Sequence, residues 1–324
     1  MLRLLPAYAS SPLVRTRDPA VLETCHTVVD VGAEYDASKN RYDHHQREFT
    51  TVFPGHNTKL SSAGLVFLHF GRDIIQTVTG LPAGQDLEVL FEKLYTDFIE
   101  AFDANDNGVN VVAPKDLEKA GLSKKFEDRG YSIASVVNRY NYVHVPSALA
   151  PEQKSKEILQ AEEDARFVKA SNFVGEQFVL ELTDRAAAWL PARNAVAEAY
   201  AARFQYDPQG RILVLQNGMP WADHLYTLEK ETPIPDGVAP QVLYVLFPES
   251  TEPDTKWRIR AVSKENGGFE NRKDLPDPWK GVRDEELSKV TGVPGGVFVH
   301  AAGFIGGNKT FEGALEMAKK AVEF

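Results

Sequence analysis

The run Thr27-Val-Val-Asp-Val31, stopped by Gly32, constrains this chain more than any other stretch. β-Branched residues crowd a helix but pack well on a pleated surface, and an unbroken run of them marks a buried parallel strand. Such a strand belongs to an α/β fold, with helices laid over the sheet. It also puts Asp30 at the strand's C-terminal end, where open parallel sheets bind their ligands. A carboxylate there is costly to bury unless it is paired or bound to a metal, although an aspartate can also simply cap the next turn.

The rest of the chain fits that class. Pro12–Arg15 reads as a short strand, and Asp18-Pro19 as an N-cap followed by proline at the first helical position. Residues 33–59 are polar and read as irregular. Ser61-Ser62 caps a helix through Leu68. Leu87, Leu90, Phe91, Leu94, Tyr95, Phe98, Ile99 and Phe102 recur at the three- and four-residue steps of one buried helix face, and Gly108 is a natural stop. Residues 152–203 favour helix, with an interruption near Trp189-Leu-Pro191. After the turn signal Asp207-Pro-Gln-Gly210, strands are expected over Arg211–Leu215, Gln241–Phe247, Trp257–Val262 and Gly296–His300, before a closing helix over Thr310–Val322. The expected organisation is a larger α/β domain over 1–150, a helical connector over 151–205 and a smaller α/β domain over 206–324.

Chemistry concentrates downstream of Asp30. Asp43-His44-His45 supplies two imidazoles and a carboxylate, a combination that suits manganese, iron or zinc, whereas carboxylate and water suit magnesium. Three adjacent residues cannot all face one ion. The natural division makes His44 a metal ligand, turns His45 to a substrate phosphate and leaves Asp43 to orient an imidazole. Asp103 and Asp106 extend the buried side of the helix before Gly108. At 100° per residue Asp106 falls inside the apolar stripe and Asp103 on its edge, so both are candidate ligands, with Asp106 preferred; the alternative is a frayed helix end at Asp103 and an exposed turn. Divalent cations held by such groups lower the pKa of bound water and stabilise charge on a phosphoryl oxygen.

Composition narrows the class. The single cysteine, Cys25, excludes an internal disulfide and any multi-cysteine zinc site, and reads as a structural thiol. No stretch has the ~18 apolar residues of a membrane span. A net charge of −10 argues against strong binding to duplex nucleic acid, which relies on many lysine and arginine contacts. One region runs against that balance. Between Lys256 and Arg283 eight basic residues, Arg258 among them, outnumber four acidic ones, and Trp257, Phe269 and Trp279 are interleaved. Cations alternating with aromatic rings suit single-stranded nucleic acid, though an ordinary solvated sheet face has the same look. Beyond it, His300-Ala-Ala-Gly303-Phe-Ile-Gly306-Gly307-Asn-Lys309-Thr310 reads as a glycine-rich turn leading into a helix, where backbone amides can approach a phosphate.

Val-Val-Asp30-Val-Gly, Arg-Tyr-Asp43-His44-His45-Gln, Thr-Lys-Leu-Ser-Ser-Ala-Gly64, Asp103-Ala-Asn-Asp106-Asn-Gly, Trp189-Leu-Pro-Ala-Arg, Pro-Trp279-Lys-Gly-Val-Arg-Asp and Val-His300-Ala-Ala-Gly-Phe-Ile-Gly-Gly together resemble the MYG family (melanocyte proliferating gene product). That family belongs to the DHH phosphoesterase superfamily. The resemblance spans essentially the whole chain. It implies a DHH-type, mainly parallel sheet domain flanked by helices, a smaller α/β DHH-associated domain, and a metal-dependent 3′-to-5′ RNA exonuclease of the mitochondrion or nucleus. It makes Asp30 the metal-bridging aspartate, His44 a ligand, His45 the phosphate-facing histidine and Asp106 or Asp103 the fourth-motif aspartate. His300 to Thr310 become the substrate loop, manganese the expected metal with magnesium the alternative, and single-stranded RNA or a short oligonucleotide the partner. The family's first motif, a His- and Asp-bearing turn after the first strand, would lie upstream of Leu2, so a sheet one strand short and an incomplete ligand set are expected. Hydrolysis of a small nucleotide or pyrophosphate, or a non-catalytic binding role, are the competing expectations.

Overall fold

The computed structural model describes residues 1–123, 125–126, 130, 132–142, 154–231, 241–265 and 268–324. Helices and mixed sheets make it an α/β protein in two units, Met1–Ala186 and Ala187–Phe324.

In the first unit, Asp18 caps α1 (Pro19–Thr24), its carboxylate accepting from the Ala20 N–H. The β-branched run gives a strand of only two residues, β1 (Val28–Val29), and Pro12–Arg15 forms no strand. Asp30, Gly32 and Ala33 all have positive φ and reverse the chain at once. β2 (Tyr35–Asp36) and β3 (Arg41–Tyr42) follow inside the segment expected to be irregular. The order is β1-β3-β2, with β1 parallel and β2 antiparallel to β3. The sheet is therefore mixed where a mainly parallel one was expected. A parallel neighbour needs a crossover of a dozen or more residues, and only residues 37–40 join β2 to β3, so that pair is antiparallel.

Helices supply the core. α2 (Ser62–Thr79) starts at Ser61, whose hydroxyl accepts from the Ala63 N–H, and ends at Gly80 in the left-handed conformation. α3 (Gln85–Leu94) passes through a π-helical turn at Tyr95–Ile99 into α4 (Glu100–Asp106). α5 (Pro114–Lys119), α6 (Ile133–Tyr140) and the long α7 (Lys156–Asp184) complete the unit. Leu65, Phe67, Leu90, Phe91, Leu94, Tyr95, Phe178 and Leu182 are buried together, and Phe53 stacks on Tyr95 at 3.7 Å.

In the second unit, α8 (Leu190–Ala202) follows a second π-helical turn at Arg185–Trp189, near the expected interruption. β4 (Ile212–Val214), α9 (Ala222–Glu231), β5 (Tyr244–Pro248), β6 (Trp257–Ala261), α10 (Asp284–Thr291), β7 (Gly296–Val299), β8 (Ile305–Asn308) and α11 (Phe311–Glu323) complete the chain. The sheet order is β4-β5-β6-β8-β7, parallel between β4 and β5 and antiparallel elsewhere. Alternation sends Ile212, Tyr244, Leu246 and Ile259 to one face, with Leu287, Met317 and Ala318, and sends Leu213 and Val245 to the other, with Val196, Tyr200 and Leu225. The connector expected over 151–205 is divided, since α7 packs in the first unit and α8 in the second. The expected boundary at 150 lies outside the described residues.

Candidate metal centre

Asp30, Asp43, His44 and His45 offer ligand atoms within 4.8 Å of one another. The local backbone explains how. Asp30 leaves β1 with φ +69°, its N–H donating to the Tyr42 carbonyl, so its side chain is thrown off the strand end and is 60% exposed. A non-glycine residue in this conformation is held there by its surroundings, and such strain collects at functional sites. Ala33, at φ +53°, aims its N–H at Asp43 Oδ2 from 2.7 Å.

Asp43 is buried and fully engaged. Its Oδ1 accepts from the His44 N–H at 2.7 Å, the His45 N–H at 3.2 Å and the His45 ring Nδ1 at 2.5 Å. Burial pushes its carboxyl up, but these bonds and the Ala33 amide outweigh that and hold it below the usual carboxylate range. The Asp43 bond in turn raises His45, whose imidazole is 59% exposed with Nε2 left for a ligand. Asp43 thus bonds one imidazole, that of His45.

His44 is buried and central. Its Nδ1 lies 3.2 Å from Ser62 Oγ and 3.8 Å from Asp30 Oδ1, and its Nε2 lies 3.2 Å from Asp106 Oδ2. Partial burial, and then the charge of Asp106, raise the Asp30 carboxyl. Two carboxylates near enough to repel flank one imidazole, and among the described residues no lysine or arginine pairs with either. That oxygen-and-nitrogen donor set fits a divalent cation.

Asp103 is not part of this group. It is fully buried, and its Oδ1 accepts from the Ser61 N–H at 2.9 Å, the Ser61 hydroxyl at 2.6 Å and the Gly64 N–H at 3.0 Å, while Oδ2 accepts from the Tyr95 hydroxyl at 2.9 Å. It anchors the start of α2, where a negative charge meets the helix dipole. A Cβ at Gly64 would sit 2.3 Å from its Oδ2, so glycine is required there. The wheel inverted the two aspartates because the turn at Tyr95–Ile99 is π-helical: its extra residue rotates everything after it by about 100°. Asp103 then faces the core and Asp106, 51% exposed, faces His44. Ser62 was read only as part of a cap; a hydroxyl pair at a helix start gives no sign of the histidine it will meet.

In the second unit the expected glycine-rich turn is only partly a turn. His300 is exposed, its Nδ1 accepting from the Ala302 N–H at 3.1 Å, and Gly303 takes φ +73°. Gly306 and Gly307 lie within β8. They are glycines for close packing: a Cβ at Gly307 would fall 2.5 Å from Arg258 Nη1 and 2.8 Å from the Trp257 carbonyl oxygen. Lys309 is exposed, and Thr310 caps α11 by accepting from the Gly313 N–H. One row across the sheet sets Arg258 of β6 and Phe298 of β7 on either side of Gly307. The Arg258 and Arg283 guanidiniums lie over the Phe298 ring, at 4.8 and 5.7 Å, and Arg260 over Phe304 at 4.4 Å. Arg258 also pairs with Glu249.

A profile described as "Uncharacterised protein family (UPF0160)", for the MYG1 exonuclease group, matches residues 1–322. The MYG1 protein of Schizosaccharomyces pombe is 42% identical over 329 residues, covering 100% of this chain and 92% of the relative. The human MYG1 exonuclease is 42% identical over 327 residues, covering 98% and 80%. The MYG1 protein of Saccharomyces cerevisiae is 42% identical over 325 residues, covering 99% and 90%. No solved structure matches the chain. With a family profile and relatives aligned along essentially its full length, and with the motifs around Asp30, Asp43-His44-His45 and His300 in place, the chain belongs to the MYG1 family.

Proposed function

We propose that this protein is a DHH-type, divalent-metal-dependent phosphodiesterase that removes nucleotides from single-stranded RNA in the 3′-to-5′ direction. The observation that carries the reading is the arrangement of Asp30 and Asp106 around His44, beside a His45 held by Asp43. The names of the human and mouse relatives, both "MYG1 exonuclease", support it. An imidazole among carboxylates favours manganese over magnesium, which prefers oxygen ligands alone. Asp30, His44 and Asp106 would hold the cation, which would supply Lewis-acid stabilisation of the phosphoryl oxygens and an activated water. His45, kept cationic over a wider pH range by Asp43, presents Nε2 to the phosphate and can give its proton to the leaving oxygen. Arg258, Arg260 and Arg283 with Phe298 and Phe304 give the second unit cations for phosphates and rings for bases. The direction of cleavage, and a place in the mitochondrion or nucleus, follow from the family resemblance.

The test is hydrolysis of single-stranded RNA with added Mn2+, against matched DNA and dinucleotide substrates. Release of mononucleotides from RNA is expected, and Asp30→Ala should lower the rate at least ~100-fold, roughly 3 kcal/mol of transition-state stabilisation. Wild-type rates in that variant would remove Asp30 from the site. A preference for dinucleotides would make the substrate a small nucleotide. A chain that takes up no Mn2+ and gains no activity from it would be a binding protein.

A further inference from the structure

We infer that His56 is a positioning residue: it clamps the π-helical turn at Tyr95–Ile99, and the clamp decides that Asp106 faces His44 while Asp103 faces the core. The turn holds one residue more than an α-helical turn. The Glu100 N–H donates to the Tyr95 carbonyl, five residues back instead of four. Asp103 therefore stands where Phe102 would stand in an unbroken helix, and Asp106 where Asn105 would. The Tyr95–Asp103 hydrogen bond, at 2.9 Å, marks this register. Eight α-helical steps leave two residues about 80° apart around the axis, whereas seven bring them within about 20°. The sequence by itself favours the unbroken helix, because Phe98 and Phe102 continue the apolar stripe at a four-residue step and π-turns are rare. The turn is held instead from outside, by the loop that the antiparallel bridge between Val52 and Lys59 closes. His56 sits in that loop with its side chain 15% exposed. Its ring meets Tyr95 edge-on at 4.8 Å, its Nδ1 lies 2.9 Å from Glu100 Oε2, and its Nε2 lies 3.4 Å from Thr96 Oγ1. One side chain thus touches the first residue of the turn, a residue inside it and the residue after it. The Thr58 hydroxyl donates to the other Glu100 oxygen at 2.7 Å, and Phe53 stacks on Tyr95. At the far end of α4 the Asn107 side-chain amide donates to the Lys59 carbonyl at 2.8 Å. The loop grips the helix on both sides of Asp103 and Asp106, and so fixes which of them reaches His44.

The part given to Asp106 rests on the proposed metal site, and the test separates the clamp from that site. The first measurement is Mn2+ affinity of the full-length protein by calorimetry. His56→Ala should weaken it about 10- to 100-fold, as loss of a group that supports a metal ligand does. Wild-type affinity in that variant would overturn the proposal. The second measurement is a deletion. Removing Thr96, which is exposed, takes the extra residue out of the turn. Glu100 then reaches the Tyr95 carbonyl four residues back, and Asp103 and Asp106 keep their places with no clamp needed. Deletion of Thr96 should leave Mn2+ affinity within about threefold of wild type and, combined with His56→Ala, should restore it. A merely structural loss at His56 would not be repaired by removing a further residue from the same contact. Unfolding, or loss of Mn2+ binding, in the deletion variant would overturn the proposal. The third is a crystal structure of metal-free His56→Ala, in which Glu100 should bond the Thr96 carbonyl and Asp106 should turn away from His44. An unaltered π-turn there would overturn the clamp. If the wild-type protein binds no Mn2+ at all, the metal reading falls, and that crystal structure alone decides the role of His56.

Discussion

At the level of single residues, the two aspartates at the end of α4 show what a buried carboxylate can be for. Asp103 answers to three backbone and side-chain donors at the start of α2 and to Tyr95, whereas Asp106 faces His44 from a half-exposed position. Asp103→Ala should therefore be a stability variant. It strands the Ser61 and Gly64 amides and the Tyr95 hydroxyl without partners, at a cost of at least about 3 kcal/mol, read from urea unfolding. Asp106→Ala should leave stability within about 1 kcal/mol and weaken Mn2+ binding instead. Equal effects of the two substitutions on Mn2+ affinity would contradict this division. The sequence placed both residues near the chemistry and put Asp106 first, but on a helix phase that set it inside the buried stripe, where Asp103 lies. Ranking depends on the phase of the helix, and the π-helical turn that changes the phase leaves no local signature in Tyr95–Ile99. That the side chains of Asp43, His44 and His45 part company was legible for a simpler reason: adjacent side chains must diverge, whatever the fold around them.

Among the elements, helices were legible and strands less so, for a physical reason. A helix carries its own signals, as in Asp18-Pro19 at α1, Ser61 at α2 and Thr310 at α11, because its unpaired end groups must be met locally. A strand is defined by its neighbour. The run Thr27–Val31 pairs over only two residues because its partner β3 is that short, and β2 was hidden in a polar segment. β8 was the hardest to read, since Gly306-Gly307 resembles a turn. Its glycines are explained by what lies beside them: Leu275 and Val299 at Gly306, and Arg258 and the Trp257 carbonyl at Gly307. Gly307→Ala should thus destabilise the second unit by about 2 kcal/mol through overpacking in the strand, measured as a lower thermal or urea midpoint. An unchanged midpoint would mean that β6 and β8 can separate locally at no cost.

For the whole molecule, each unit has its own core and its own acid response. In the first unit, burial raises the Asp30 and Asp103 carboxyls above their ordinary values. Their charged forms therefore cost stability at neutral pH, and protonation on acidification lifts that cost. In the second unit the sign is opposite at Asp207. The Arg211 guanidinium, hydrogen-bonded to both of its oxygens at 2.9 and 2.8 Å, holds this carboxyl below its ordinary value. Its contribution is fully present above the unfolded value of about 3.9 and is lost as pH falls through the lower folded value. The four tryptophans, Trp189, Trp221, Trp257 and Trp279, all lie in the second unit, so intrinsic tryptophan fluorescence follows that unit alone. Urea midpoints by fluorescence should fall as pH is lowered from about 5 to about 3. Asp207→Asn should lower the midpoint at pH 7, by roughly 2 kcal/mol for the lost charge-assisted bonds, and flatten its dependence on acid. Parallel acid profiles in the two proteins would mean that other carboxylates set the acid limit of this unit and that the Asp207–Arg211 pair is worth as much protonated as charged.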